Sequence, residues 1–122
     1  MSDARAYAVF GVSLTDPSKY GSRIFADLSA NGYRVYAVNP KGGELAGRPV
    51  YKNLAEVPEK VYGAILVVPP SAASGAVEQC IAQGVREIWF QPGTRDPYAL
   101  QMAEAAGIRA VESCFMVQNG IW

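Results

Sequence analysis

The sequence predicts a doubly wound α/β sandwich, three layers deep, around a five-stranded parallel sheet. Three observations predict it. Five short runs rich in β-branched and aromatic residues recur along the chain, each stopped by glycine, proline or a polar residue. Segments with apolar residues at helical spacing lie between them. The strand, helix, strand alternation that results is that of βαβ units, whose parallel strands need a crossover.

Tyr7, Ala8, Val9 and Phe10 make an apolar run suited to a strand buried on both faces, and it stops at Gly11, where a backbone without Cβ turns sharply or approaches a ligand. A polar loop with Ser13, Thr15, Asp16 and Ser18 follows. Lys19-Tyr20-Gly21-Ser22 then leads into a helix whose free N–H groups point back over the strand tip, an anion-binding geometry. Ile24, Phe25 and Leu28 share one helical face, and Asn31-Gly32 closes the helix after about Ala30. Tyr33 and Arg34 open a second strand that runs through Val35, Tyr36 and Ala37 to Val38 and breaks at Asn39-Pro40. A flexible stretch over Lys41-Gly42-Gly43-Glu44 continues to Val50-Tyr51 and a short helix near Leu54.

Gly63 to Val68 is the most apolar run and reads as an interior strand ended by Pro69-Pro70. Ala73, Ala76, Val77, Cys80 and Ile81 form the stripe of the next helix, closed by Gln83-Gly84. Glu87-Ile88-Trp89-Phe90 is the fourth strand, broken at Gln91-Pro92-Gly93. The last long helix opens with Thr94 or Asp96 as N-cap and Pro97 in its first turn, and stops at Gly107. Ile108 to Val111 is the fifth strand. Residues 112–122 are expected to pack Phe115, Met116 and Val117 onto the sheet through a turn or short helix. The expected strand order is Rossmann-like, 3-2-1-4-5, with a ligand at the carboxyl ends of the strands where the order reverses. Five loops meet there: residues 11–21, 39–48, 69–71, 91–95 and 112–114.

The 122 residues suit one domain, 1–122, with half of them hydrophobic. Lys+Arg and Asp+Glu balance at 11 each, which speaks against the basic field of a nucleic-acid binder. No apolar run approaches the roughly 20 residues of a membrane helix and the N-terminus has no signal-peptide core, so a cytoplasmic location is expected. Cys80 and Cys114 lack metal-like spacing, so no metal site is expected. Histidine is absent, which removes Ser/His and Cys/His nucleophile pairs.

Lys19, Arg23, Lys41, Arg48 and Arg95 sort to the carboxyl edge, while Arg34, Lys60, Arg86 and Arg109 precede their strands. Arg48 and Arg95 read as ordinary surface charges. Lys19 and Lys41 flank the loops nearest a phosphate at the first helix start. The dinucleotide fingerprint fails: Gly11-Val12-Ser13-Leu14-Thr15-Asp16 lacks its second and third glycines. Where an NAD binder usually places an acidic residue, this chain has Asn39-Pro40-Lys41. Lysine there favours a ribose that carries a phosphate, the 3′-phosphate of coenzyme A or the 2′-phosphate of NADP.

Gly11-Val12-Ser13, Lys19-Tyr20-Gly21, Val38-Asn39-Pro40-Lys41-Gly42-Gly43, Val67-Val68-Pro69-Pro70 and Gln91-Pro92-Gly93 together resemble the small stand-alone CoA-binding domain proteins. These are similar to the N-terminal CoA-binding domain of succinyl-CoA synthetase α subunits. The resemblance implies that Gly11, Val12 and Ser13 face the phosphates, with Lys19, Tyr20, Ser22 and Arg23 at the helix start beside them. It implies that Lys41, after Asn39 and Pro40, pairs with a phosphate of the 3′-phospho-ADP moiety. Val68, Pro69 and Pro70 would form one wall of the slot and Gln91, Pro92 and Gly93 the other, although Pro69-Pro70 and Pro92 also serve simply to end strands.

The synthetases work through a phosphorylated histidine in a further domain, so a chain without histidine is expected to bind coenzyme A or an acyl-CoA without catalysis. A homodimer or association with a larger enzyme fits that role. Cys114 reads as a partly buried thiol without a partner, ahead of a mixed disulfide with the CoA thiol. The alternatives are an NAD(P)-binding oxidoreductase or redox-sensing module on the same fold, and a purely structural module whose apolar tail packs inward.

Overall fold

The computed structural model describes residues 5–122; the first four, part of the N-terminal stretch read above as lacking a leader, lie outside the described residues. Strands β1 (Ala6–Phe10), β2 (Arg34–Val38), β3 (Glu44–Leu45), β4 (Arg48–Tyr51), β5 (Gly63–Leu66), β6 (Glu87–Phe90) and β7 (Arg109–Val111) form one sheet. Helices α1 (Tyr20–Ala30), α2 (Pro70–Ala82), α3 (Pro97–Ala105) and α4 (Phe115–Gln118) cover it, with a single 3-10 turn at Leu54–Glu56. No helix among the described residues is long and apolar enough to cross a membrane.

The architecture is Rossmann-like and mostly parallel, but the sheet has seven strands rather than five, in the order β3-β4-β2-β1-β5-β6-β7. The 3-2-1-4-5 expectation placed the Gly63 strand outside β2. Instead β5 pairs with β1, Val9 opposite Ile65, and the position outside β2 is taken by β4, Ala37 opposite Val50. The missed pair β3 and β4 is a short antiparallel hairpin whose turn residues Ala46 and Gly47 both have positive φ, 52° and 77°. Neither strand carries a period-2 pattern, and Pro49 sits inside β4, which is why the stretch reads as a loop.

Successive side chains of β1 enter opposite layers, as strand geometry requires. Ala6, Ala8 and Phe10 join Leu66, Val77, Cys80 and Phe90 under α2 and α3. Tyr7 and Val9 join Ile24, Leu28, Ile65, Trp89 and Phe115 under α1 and α4. Each fully buried aliphatic or aromatic side chain contributes about 1.5–3 kcal/mol, and truncating the fully enclosed Leu28 to alanine costs about 2–5 kcal/mol. Asp96, not Thr94, caps α3, accepting a hydrogen bond from the Tyr98 N–H at 3.1 Å. Ile81 and Val117, expected to face inward, are 40% and 57% exposed, while Phe115 and Met116 of α4 are buried as expected.

Candidate functional site

Strand order reverses between β1 and β5, and a cleft of about 590 Å³ opens at their carboxyl ends. Its floor is Phe10, Gly11 and Val38; Pro40 and Lys52 stand on one side, and Val68, Pro69 and the α2 residues Ala72 and Gly75 on the other. Backbone approach is what shapes the floor. Gly11 has φ +98°, and a Cβ there would lie 2.0 Å from the Val67 carbonyl oxygen. A Cβ on Gly21 would lie 2.5 Å from the Gly11 carbonyl oxygen. The end of β1, the end of β5 and the start of α1 therefore touch main chain to main chain, which only glycine permits. Gly75 is different: nothing lies within 4 Å of where its Cβ would be, so the missing side chain leaves room in the cleft.

The loop between β1 and α1 is held by side chains that the sequence placed on the ligand. The Ser13 N–H donates to Ser22 Oγ at 2.8 Å, and the Ser22 hydroxyl donates back to the Ser13 carbonyl at 2.9 Å. Ser13 Oγ accepts from the Asp16 N–H at 3.1 Å. Asp16 in turn accepts from the Ser18 hydroxyl and N–H, which hold its carboxyl below the usual carboxylate range. Lys19 occupies the N-cap position of α1 without a side-chain cap, so the first N–H groups of that helix keep no partner from within it. Asn39 links two loops: its Nδ2 donates to the Val12 carbonyl at 2.8 Å, while its Oδ1 accepts from the Lys41 N–H at 2.8 Å. That strut orients the exposed Lys41. Lys52, at the exit of β4, lays its stem against Gly42, with Cγ 3.0 Å from a Cβ built there.

Of the residues singled out from sequence, Gly11, Pro40, Val68 and Pro69 line the cleft. Lys19 and Lys41 are exposed in the loops after β1 and β2, Arg23 and Pro70 are exposed in the first turns of α1 and α2, and Val12 belongs to the core. Gln91, Pro92 and Gly93 line a separate hollow of about 300 Å³ with Arg95, Glu112 and Ser113. Gln91 is fully buried. Its Nε2 donates to the Tyr20 hydroxyl at 2.9 Å and its Oε1 accepts from the Phe115 N–H at 2.7 Å, so the side chain serves as an internal strut between α1 and α4. Arg48 does not reach the carboxyl edge. It enters β4, donates to the Val35 carbonyl at 2.9 Å and stacks over Phe25. Arg95 pairs with Glu112 at 2.8 Å.

Cys114 has a partner, contrary to the sequence reading: the Tyr20 hydroxyl donates to its Sγ at 3.4 Å. Burial pushes this thiol up, but donors from Tyr20, the Val117 and Met116 N–H groups and Gln91 outweigh it and hold the thiol below its ordinary value. Burial is also the main reason the Tyr20 phenol is raised. Trp122 closes the assembly, 5.5 Å from the Tyr20 ring centroid, under the Arg23 guanidinium and donating to Asp27 at 2.7 Å. Lys52 and the α2 face at Ala72 and Gly75 were missed from sequence. Recognising Lys52 required recognising β4 first.

A family model described as a CoA binding domain matches residues 5–120. ADP-forming acetate–CoA ligase I of Archaeoglobus fulgidus is 32% identical over 117 residues, 88% of this chain and 17% of that protein. The alpha subunit of ADP-forming acetate–CoA ligase I of Pyrococcus furiosus is 38% identical over 90 residues, 69% of this chain and 19% of the subunit. The chain thus spans about a fifth of the length of these curated relatives. The solved structure of a hypothetical protein from Pyrococcus horikoshii OT3 is similar with a TM-score of 0.88 at 33% identity, covering 93% of this chain and 80% of that one.

Proposed function

The chain belongs to the CoA-binding domain family, and from that membership we propose that it binds coenzyme A or an acyl-CoA through the phosphorylated ADP end and leaves the ligand unchanged. The observation that carries the reading is the cleft at the strand reversal, apolar on its floor, with Lys52 in its lining and the exposed Lys41 next in sequence to its Pro40. Its chemistry fits the ligand. Val68 and Pro69 offer a wall without an N–H donor on the proline, suited to the face of a base, and the side-chain-free Gly75 beside them keeps the space in front of it clear.

Phosphates suit the loop at Gly11, Val12 and Ser13 and the open first turn of α1, where Lys19, Tyr20, Ser22 and Arg23 begin the helix. Lys41, positioned by Asn39, and Lys52 across Gly42 supply the positive charge for the ribose 3′-phosphate. Pro70 opens α2 beside Pro69 of the cleft wall, whereas the Gln91-Pro92-Gly93 turn, lining its own hollow, is left out of the ligand's path. The chain has no histidine, so no relay through a phosphohistidine is available on it.

Calorimetric titration with coenzyme A, dephospho-CoA and NADPH tests the reading. Loss of a charge-assisted contact to the 3′-phosphate removes about 1.5–3 kcal/mol, roughly 10- to 150-fold in affinity for dephospho-CoA. Lys41→Ala and Lys52→Ala should narrow that gap. Equal affinity for coenzyme A and dephospho-CoA would overturn the placement of the lysines, and NADPH binding without coenzyme A binding would overturn the function.

A further inference from the structure

Two asparagine-glycine pairs close helices of this chain in the same way. Asn31 ends α1 and Asn119 ends α4, each followed by a glycine of positive φ, 83° at Gly32 and 71° at Gly120. In both turns the glycine N–H donates to the carbonyl three residues back, Ser29 or Val117, at 3.2 Å. The next N–H donates to Leu28 at 3.0 Å or to Met116 at 2.8 Å, which completes the motif. Each asparagine amide also donates to the carbonyl four residues earlier, Asp27 at 2.7 Å or Phe115 at 2.8 Å.

Asparagine before glycine carries its own chemistry. The glycine nitrogen, once its proton has passed to solvent, attacks asparagine Cγ; the new C–N bond forms, the Cγ–Nδ2 bond breaks, and Nδ2 leaves as ammonia. Water then opens the cyclic imide at either carbonyl, giving aspartate or isoaspartate, with nothing oxidised or reduced. Glycine favours the step because no Cβ crowds the attacking nitrogen, and at Gly120 nothing lies within 4 Å of where a Cβ would stand. The asparagine ψ is 14° at residue 31 and 11° at residue 119, which turns the glycine nitrogen away from the side chain, so either turn must open before it reacts.

The ease of opening separates the two. Past Gly32 the chain enters β2, and Tyr33 packs edge-on against Tyr7 and Phe115 at 6.1 and 6.0 Å. α1 has 11 residues against 4 in α4, and residues 117–120 are all exposed. The turn at Asn119 is held by the Ile121 N–H and by Trp122, whose indole donates to Asp27 at 2.7 Å, lies 5.5 Å from the Tyr20 ring and sits under the Arg23 guanidinium.

We propose that Asn119 is a modification site, converted through its imide with Gly120 faster than Asn31, and that the conversion releases Trp122 from α1. A carboxylate at 119 has no N–H to give the Phe115 carbonyl and adds negative charge where the helix already ends in carbonyls. Isoaspartate goes further. It inserts one carbon into the main chain between residues 119 and 120, so Gly120 and Ile121 lose their register with Val117 and Met116, and Trp122 is carried off Tyr20 and Arg23. None of this depends on what the cleft binds.

The test incubates the full chain in warm, mildly alkaline buffer, with and without urea, and follows both asparagines by peptide mass mapping and isoaspartate detection. In the folded protein Asn119 should convert about tenfold or more faster than Asn31, the ratio that about 1.4 kcal/mol less opening free energy produces, and in urea the two rates should converge. The Trp122 indole N–H resonance should move in proportion to conversion at 119, while that of Trp89, bonded to buried Glu87, stays in place. Asn119→Gln, whose longer side chain closes the imide far more slowly, should keep the Trp122 signal unchanged; if its melt shows a lost fold, the wild-type comparison stands by itself. Equal or faster conversion at Asn31 in the folded protein, an Asn119 that stays intact while the urea sample converts, or a Trp122 resonance that does not follow conversion would each overturn the proposal.

Discussion

Replacing Gly75 with leucine should stabilise the fold and close the cleft in one step. Gly75 lies inside α2, is exposed and lines the cleft, and no atom lies within 4 Å of the position its Cβ would take. A glycine in a helix interior is about 0.8–1.0 kcal/mol less favourable than alanine, and leucine is close to alanine, so Gly75→Leu should gain roughly 0.7 kcal/mol. For a chain of this length that is a rise of about 2–4 °C in Tm. The new isobutyl group occupies the space assigned to the base, and coenzyme A affinity should fall by about 1–3 kcal/mol, the range for overfilling a packed site. That is roughly 5- to 150-fold. Thermal denaturation and calorimetric titration on the same sample read both quantities. A higher Tm with undiminished coenzyme A binding would show that the ligand sits elsewhere; a lower Tm would refute the placement of Gly75 on a free helix face.

Two further outcomes follow from the loops and the two thiols. Ser22→Ala removes a buried hydroxyl and leaves the partly buried Ser13 N–H without its partner, and urea denaturation should show a loss of about 1–3 kcal/mol; an unchanged midpoint would mean that water replaces the hydroxyl. Cys80 is fully buried with its thiol pushed up to about 12 by burial, whereas Cys114 is partly exposed and held low by its donors. Iodoacetamide at pH 7.5 should therefore label the native protein once, at Cys114, and more slowly in Tyr20→Phe, as read by peptide mass; two labels on native protein would contradict this.

Arg34 first, then the Tyr36 hydroxyl, holds the Glu59 carboxyl below its ordinary value of 4.5. Folded Glu59 thus binds its proton less readily than unfolded Glu59, so its contribution is complete above pH 4.5 and lost as the pH falls through the lower folded value. The stability gap between wild type and Glu59→Gln should shrink between pH 6 and pH 3, and a gap that does not change with pH would exclude the ion pair as its source.

Strong local signals made much of this molecule readable in advance. The apolar run of β1 with its glycine stop, the Ile24-Phe25-Leu28 stripe and the Pro97 helix start each depend on neighbours within a few residues, and each forms where expected. Asn39 and Ser22 read from sequence as binding residues, whereas in the structure the Asn39 side chain ties two loops together and the Ser22 side chain ties the loop after β1 to α1. Gln91 illustrates the limit most clearly. Beside Pro92-Gly93 it looks like part of a surface turn, yet its amide is buried between Tyr20 and Phe115, residues 71 positions before it and 24 after it.

From the sequence alone came the α/β alternation, the glycine-ended first strand, the helix start at Tyr20 and the lysine after β2, because each is a property of contiguous residues. Tertiary structure alone decided that β5 and not β6 lies beside β1, that Lys52 packs against Gly42 next to Lys41, and that Gly75 faces an open cleft. Strand pairing is a choice among distant partners with similar local patterns, settled by which arrangement lets both faces of the sheet be covered by helices. The cleft exists only once that choice has been made.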